Sequence, residues 1–99
     1  MKAEDIRQEW TQEGTFPDNH GTRVRCYDDV ALLEDVGSEP DSNGSVIILP
    51  AGTTGTVLFF TTGKPCWLHI EYETTGMVFG IVEASKTELH LRNEEKYRR

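Results

Sequence analysis

No apolar run in this chain approaches the roughly 18 residues that a membrane-spanning helix needs, so no segment reads as transmembrane. Met1–Trp10 is charged and lacks an apolar stretch leading to a small-residue cleavage site, so it does not read as a secretory signal. Cysteine is scarce: Cys26 and Cys66 stand far apart, without Cys-x-x-Cys spacing. In a chain with no export signal they read as two buried thiols rather than a disulfide, and the expected location is cytoplasmic. Basic residues are also in short supply, with 10 Lys and Arg against 17 Asp and Glu and a net charge of −7. Such a surface repels phosphate backbones, which argues against nucleic acid as the partner. Arg92, Lys96, Arg98 and Arg99 are a local exception, but Glu94 and Glu95 interrupt them, and residues 93–99 read as a solvated charged tail.

Catalytic motifs are missing as well. Nucleophilic catalysis needs a Ser or Cys beside a base and an orienting group, and no such pattern is visible. Gly52-x-x-Gly55 resembles a phosphate loop only in its glycines, because no Lys or helix start follows. Cys66-x-x-His69 has suggestive spacing for a metal, but on a strand these two side chains point to opposite faces. The adjacent carboxylates Asp28-Asp29, Glu34-Asp35 and Glu94-Glu95 read as solvated surface. The expectation is a non-enzyme with no cofactor and no metal.

What is present is a strand pattern. Ninety-nine residues make one domain, able to bury roughly 60–65% of its unfolded surface. Residues 1–21 form an N-terminal extension, in which Ala3, Ile6 and Trp10 share one face of a short helix if helical. That helix is too short to stand alone in water and must dock or fray. Gly14, Pro17, Asp18, Asn19 and Gly21 then break regular structure. The domain proper spans 22–92. Val30, Leu32 and Leu33 mark a first strand, followed by a long exposed loop from Val36 to Gly44 and a short apolar return, Val46 to Leu49. A glycine-bracketed turn at Gly52 and Gly55 leads into the β-prone run Val57-Leu58-Phe59-Phe60. From Cys66 to Glu73 the alternation is strict: Cys66, Leu68, Ile70 and Tyr72 on one face, Trp67, His69, Glu71 and Glu73 on the other. Met77–Glu83 supplies a further strand and Thr87–Leu91 a last short one. About five closely spaced antiparallel strands predict a mainly β fold, a small, partly open barrel of SH3-like type.

Asp29-Val30-Ala31-Leu32-Leu33-Glu34-Asp35, then Ala51-Gly52-Thr53-Thr54-Gly55-Thr56-Val57, then an alternating strand and Thr87-Glu88-Leu89, carry a resemblance. The pattern resembles a family of short bacterial proteins with no assigned function that look like SH3-type barrels, and it covers roughly residues 27–91. The family usually has a shorter first loop, often a charged residue in place of Phe59, and rarely a Trp in place of Trp67. It carries no active site to transfer. The Gly-Thr-Val turn also resembles the KOW element of ribosomal and transcription proteins.

Turning the second and third strands about Gly63 sets Phe59 opposite Trp67 and Val57 opposite His69, with Leu58 and Phe60 meeting Leu68 and Cys66 in the core. The fourth strand is then expected to give Met77, Phe79 and Ile81 to the core and to turn Val78, Gly80 and Val82 outward. The resulting candidate interaction surface is Phe59, Trp67, His69, Val78, Gly80 and Val82, with Gly80 leaving space beside His69 and Trp67. Such an apolar outer face should be covered, by Ile6 and Trp10 of the N-terminal segment, by a second copy, or by a partner. The functional expectation is a protein-interaction module, monomeric or weakly dimeric, acting through this face or through the acidic loop Glu34–Asn43. An inhibitor or immunity-type protein acting on a partner from its own operon is one version. A KOW-like RNA-associated module and a small-molecule sensor are the alternatives.

Overall fold

The strict alternation of Trp67–Thr74 makes it the spine of the molecule, because one face buries apolar side chains while the other keeps polar ones. The structure is a computed structural model that describes residues 1–74 and 76–94, without the side chain of Met77. The core placement expected for Met77 and the basic tail at Lys96, Arg98 and Arg99 therefore lie outside the described residues. In chain order the strands are β1 (Phe16–Pro17), β2 (Arg23–Val24), β3 (Asp29–Leu32), β4 (Val36–Gly37), β5 (Ile48–Leu49), β6 (Thr54–Phe60), β7 (Trp67–Thr74), β8 (Gly76–Glu83) and β9 (Thr87–Leu91). Five of them form one antiparallel sheet in the order β8-β7-β6-β3-β9, while β1-β2 and β4-β5 form two-stranded sheets. The large sheet does not close, since β8 and β9 remain its edges. The result is the mainly β, partly open five-stranded arrangement that the strand spacing implied.

Register decides which side chains reach the core. Between β6 and β7 the pairing shifts between Val57 and Phe59, so Leu58 sits at a bulge. Val57 pairs with Ile70 before the bulge, and Phe59 with His69 and Phe60 with Leu68 after it. An extra residue switches the parity of the inward face, so Val57 and Phe60 are both fully buried while Phe59 points out. Val57 therefore lies opposite Ile70 in the core and not opposite His69 on the outer face, and Leu58 does not join the core. Between β7 and β8 the pairs run Leu68↔Val82, Ile70↔Gly80 and Tyr72↔Val78, ending at Thr74↔Gly76. Residues of like parity therefore face one another, and the expected sides of β8 are exchanged. Val78, Gly80 and Val82 turn toward the core side, and Phe79 and Ile81 turn to the other. A one-residue difference in register flips every side chain of a strand to its other face.

Gly80 is needed for packing rather than for an outer groove: a Cβ there would fall 2.7 Å from Cε2 of Tyr72. The Tyr72 ring fills that place, and its buried hydroxyl finds no hydrogen-bond partner among the described residues. Burial alone pushes the phenol up from its ordinary value.

The segment expected to break structure folds back as the β1–β2 hairpin. Its Phe16 is 2% exposed and meets Phe60 with ring centroids 5.0 Å apart and a tilted geometry. The hairpin is tied down by Asp18, itself 5% exposed. One carboxylate oxygen accepts the backbone N–H groups of His20 and Thr22 at 2.8 and 3.0 Å, and the other accepts that of Leu89 in β9 at 2.8 Å. Asp28 does related work. It is fully buried, and its oxygens accept the N–H groups of Arg25 and Asn93, each at 2.9 Å. Its reading as solvated surface is thus corrected: a carboxylate is tolerated inside when backbone donors satisfy it.

Asp18→Ala orphans three backbone donors and is expected to lower stability by about 2–3 kcal/mol, read from the urea midpoint. Asp18→Asn, which keeps an acceptor oxygen, should cost clearly less. Tyr72→Phe removes a buried hydroxyl without a partner and should leave stability unchanged or raise it by about 1 kcal/mol. A loss of that size in the same melts would mean that the hydroxyl is bonded.

Candidate interaction surface

His69 is the centre of the outer face because β7 alternation points it away from the core and β6 and β8 each bring an aromatic ring beside it. Phe59 stacks at 6.4 Å between centroids with an interplanar angle of 27°, and Phe79 lies tilted at 5.8 Å. A third ring, Trp10, closes over it at 6.1 Å. The Nε2 atom of His69 is buried without a hydrogen bond, and a carboxylate oxygen of Glu39 stands 3.5 Å away.

Trp10 arrives on a strap and not on a helix. Only Ala3–Asp5 turns, as a 3-10 element, and beyond it Ile6, Gln8 and Trp10 are part-buried while Arg7 and Glu9 between them are exposed. That two-residue alternation belongs to an extended chain. It follows from pairing at Phe60, where Thr11 donates its N–H to the Phe60 carbonyl at 2.8 Å and accepts the Phe60 N–H at 3.0 Å. The Gln8 amide donates to the Pro65 carbonyl, and the Gln12 amide to the Leu58 carbonyl at the bulge, both at 2.9 Å. Trp10 of the N-terminal segment thus covers His69, while Phe59 beside it stays 38% exposed.

Of the six residues expected to form the surface, Phe59, Trp67 and His69 share the outer face, whereas Val78, Gly80 and Val82 do not. Gly80 is buried and opens no space beside His69. Phe79 and Ile81 stand where those three were expected. Trp67, at the start of β7, lines a cleft of about 240 Å³ with Glu34, Asp35, Gly37, Ile81 and Glu83.

The long loop is built. Ser38 donates its N–H to the Ile47 carbonyl at 2.8 Å, and its hydroxyl accepts the Ile47 N–H at 3.0 Å. At the tip, Asp41 accepts the N–H groups of Asn43 and Ser45 at 2.8 and 2.9 Å, an Asx turn. At the base, Glu39 donates its N–H to the Phe79 carbonyl at 2.8 Å, which docks the loop on the β8 edge. The cost of this order is an exposed stripe: Val46, Ile47 and Ile48 are 49%, 48% and 67% exposed. Sequence reasoning found the apolar run Val46–Leu49 and missed that only Leu49 is buried. The two-residue strand β5 accounts for it, since Leu49 faces inward while Ile48 beside it points out.

Both cysteines are free thiols. Cys26 is buried, and Cys66 donates to the Thr61 carbonyl at 2.9 Å. Burial pushes the Cys66 thiol up from 9.0 to about 11, against the opposing effects of Arg23 and of the bond to Thr61. Among the described residues, no three His, Cys, Asp or Glu side chains are grouped to hold a metal ion. Comparison with protein-family models, curated proteins and solved structures returns no match.

With a thiol at about 11 in place of 9.0, Cys66 should react with iodoacetamide at pH 8 roughly 100-fold more slowly than an ordinary thiol. Unfolding in denaturant should abolish that difference. Because the folded value is raised, the associated stability is fully present below pH 9 and is lost as pH rises toward 11.

Proposed function

We propose that the chain is a non-catalytic protein-interaction module whose docking surface is the aliphatic stripe of the β4–β5 hairpin. The observation that carries this reading is the three consecutive side chains Val46, Ile47 and Ile48, about half or more exposed on a hydrogen-bonded hairpin. Fully burying one Val or Ile side chain contributes roughly 1.5–3 kcal/mol, so a hairpin that withholds three of them from its own core keeps a surface for association. Val46 packs against Gly37 at the edge of the Trp67 cleft, and Ile47 lines a neighbouring cleft of about 230 Å³ with Pro40, Val78 and Phe79. The stripe thus lies beside two clefts of mixed lining, one with Glu34, Asp35, Glu83 and Lys86 and one with Ser38, Glu39, Asp41 and Ser45.

Charge supplies the partner's chemistry. Glu34 and Asp35 precede β4, and Glu39 and Asp41 follow it, in a chain of net charge −7; Lys86 pairs with Glu34 at 3.0 Å, and Asp35 and Asp41 are exposed. The occupant that fits is an extended segment of another protein, carrying aliphatic side chains and Lys or Arg together. Neutralising a basic partner, as an inhibitor or immunity-type protein does, is the concrete version that the charge supports. The aromatic face of His69 is not the leading surface, because the strap covers it.

Immobilised peptides that alternate Val or Ile with Lys should retain the full chain, with affinity falling as salt rises, and Asp-substituted counterparts should not. Ile48→Glu should weaken that binding roughly tenfold or more, with the urea midpoint unchanged. Equal binding of acidic and basic peptides, or no effect of Ile48→Glu, refutes the surface. A dimer on sizing that Ile48→Glu dissociates reassigns the stripe to a second copy. Retention on an RNA homopolymer in place of the peptides replaces the module with a nucleic-acid one.

A further inference from the structure

The strap is anchored along its middle by Thr11, Gln8 and Gln12, but its first residues depend on one side chain of the long loop. Glu39 accepts the Ala3 N–H on Oε1 at 3.1 Å, and its Oε2 stands 3.5 Å from Nε2 of His69. These two side chains are only 21% and 23% exposed, and the facing nitrogen has no hydrogen bond. Within the strap the Trp10 indole N–H reaches the Ala3 carbonyl at 3.4 Å, and the turn of residues 2–6 closes with the Asp5 N–H on the Lys2 carbonyl and the Ile6 N–H on the Ala3 carbonyl.

We propose that His69 and Glu39 form a proton-operated latch, in which a proton taken up by the imidazole closes the N-terminal strap more firmly over the aromatic face. In the neutral ring only one nitrogen donates, whereas both donate in the charged ring. Protonation therefore ensures a donor aimed at Glu39 and adds an ion pair to the contact. The rings of Trp10, Phe59 and Phe79 stand at 6.1, 6.4 and 5.8 Å from the imidazole, Phe79 alone within the roughly 6 Å over which an aromatic ring favours a cation. The strap tightens because the carboxylate held by His69 is the one that holds Ala3.

The charged groups on the elements around His69 are few. The loop contributes Glu39; β7 itself contributes Glu71, two residues along the same face and paired with Phe79. Beside the imidazole, β6 and β8 place Phe59 and Phe79. On the strap, Lys2 lies near Glu4 at 3.9 Å, its N–H goes to Asp5, and Arg7 and Glu9 are exposed.

The test follows the amides that join the strap to β6. On the full chain, protection factors of the Thr11 and Phe60 amides, corrected for intrinsic exchange, should rise about fivefold from pH 8 to pH 5.5, an ion pair's worth. The midpoint should coincide with the His69 ring titration followed by NMR. Glu39→Gln, which retains an acceptor for Ala3, and His69→Gln should each abolish the rise. His20→Gln should retain it, although His20 pairs with Glu88 at 3.1 Å. If His69→Gln fails to fold, Glu39→Gln alone decides. A rise that persists in Glu39→Gln, a fall with acidification, or a midpoint that follows His20 overturns the latch.

Discussion

The register of β7 against its two neighbours governs this molecule. One bulge at Leu58 and one pairing of Thr74 with Gly76 set the face on which every side chain of β6 and β8 lands. With that register Leu68, Ile70 and Tyr72 gather Val57, Phe60 and Val82 into the core, and His69 gathers Phe59 and Phe79 on the opposite side. A slip of one residue would exchange Phe79 for Val78 and place the Tyr72 ring against a side chain instead of Gly80. Backbone pairing alone is indifferent to such a slip, and the burial of one face makes it costly.

A sheet with apolar side chains on both faces needs two covers. The inner cover comes from the sheet's own curvature partners, with Phe16 and the β1–β2 hairpin held against β9 by the Asp18 carboxylate. The outer cover is the strap, which adds little regular structure and relies on single contacts: Thr11 on Phe60, Gln8 on Pro65, Trp10 on His69. Glu39 links the covers to the loop, since its backbone docks on β8 while its side chain holds Ala3 and faces His69. The apolar stripe of Val46, Ile47 and Ile48 belongs to neither cover. It stays exposed, beside a cleft lined by Glu39 and Asp41.

The carboxylates divide by burial. Asp18 and Asp28 are buried with backbone N–H groups on both oxygens, whereas Asp35, which accepts the Ala51 N–H at 2.9 Å, and Glu34, paired with Lys86 at 3.0 Å, stay exposed at the Trp67 cleft. In the sequence the two groups look alike. An Asp between a glycine-rich stretch and a strand signals a turn, but whether that turn lies on the surface depends on a partner such as Leu89, far along the chain.

Local pattern was sufficient for much of the fold. Alternation from Cys66 to Glu73 identified β7 and its two faces, the run before Glu34 identified β3, and the glycines at Gly52 and Gly55 located the start of β6. Half of the candidate surface, Phe59, Trp67 and His69, was legible for the same reason: side-chain direction along a single strand is a local property with a fixed period. The positions of Val78, Gly80 and Val82 were not legible, nor were the strap's extended form and the exposure of Val46–Ile48. Each depends on how one strand registers against another, and register is decided by the summed burial of both partners, which no single segment carries.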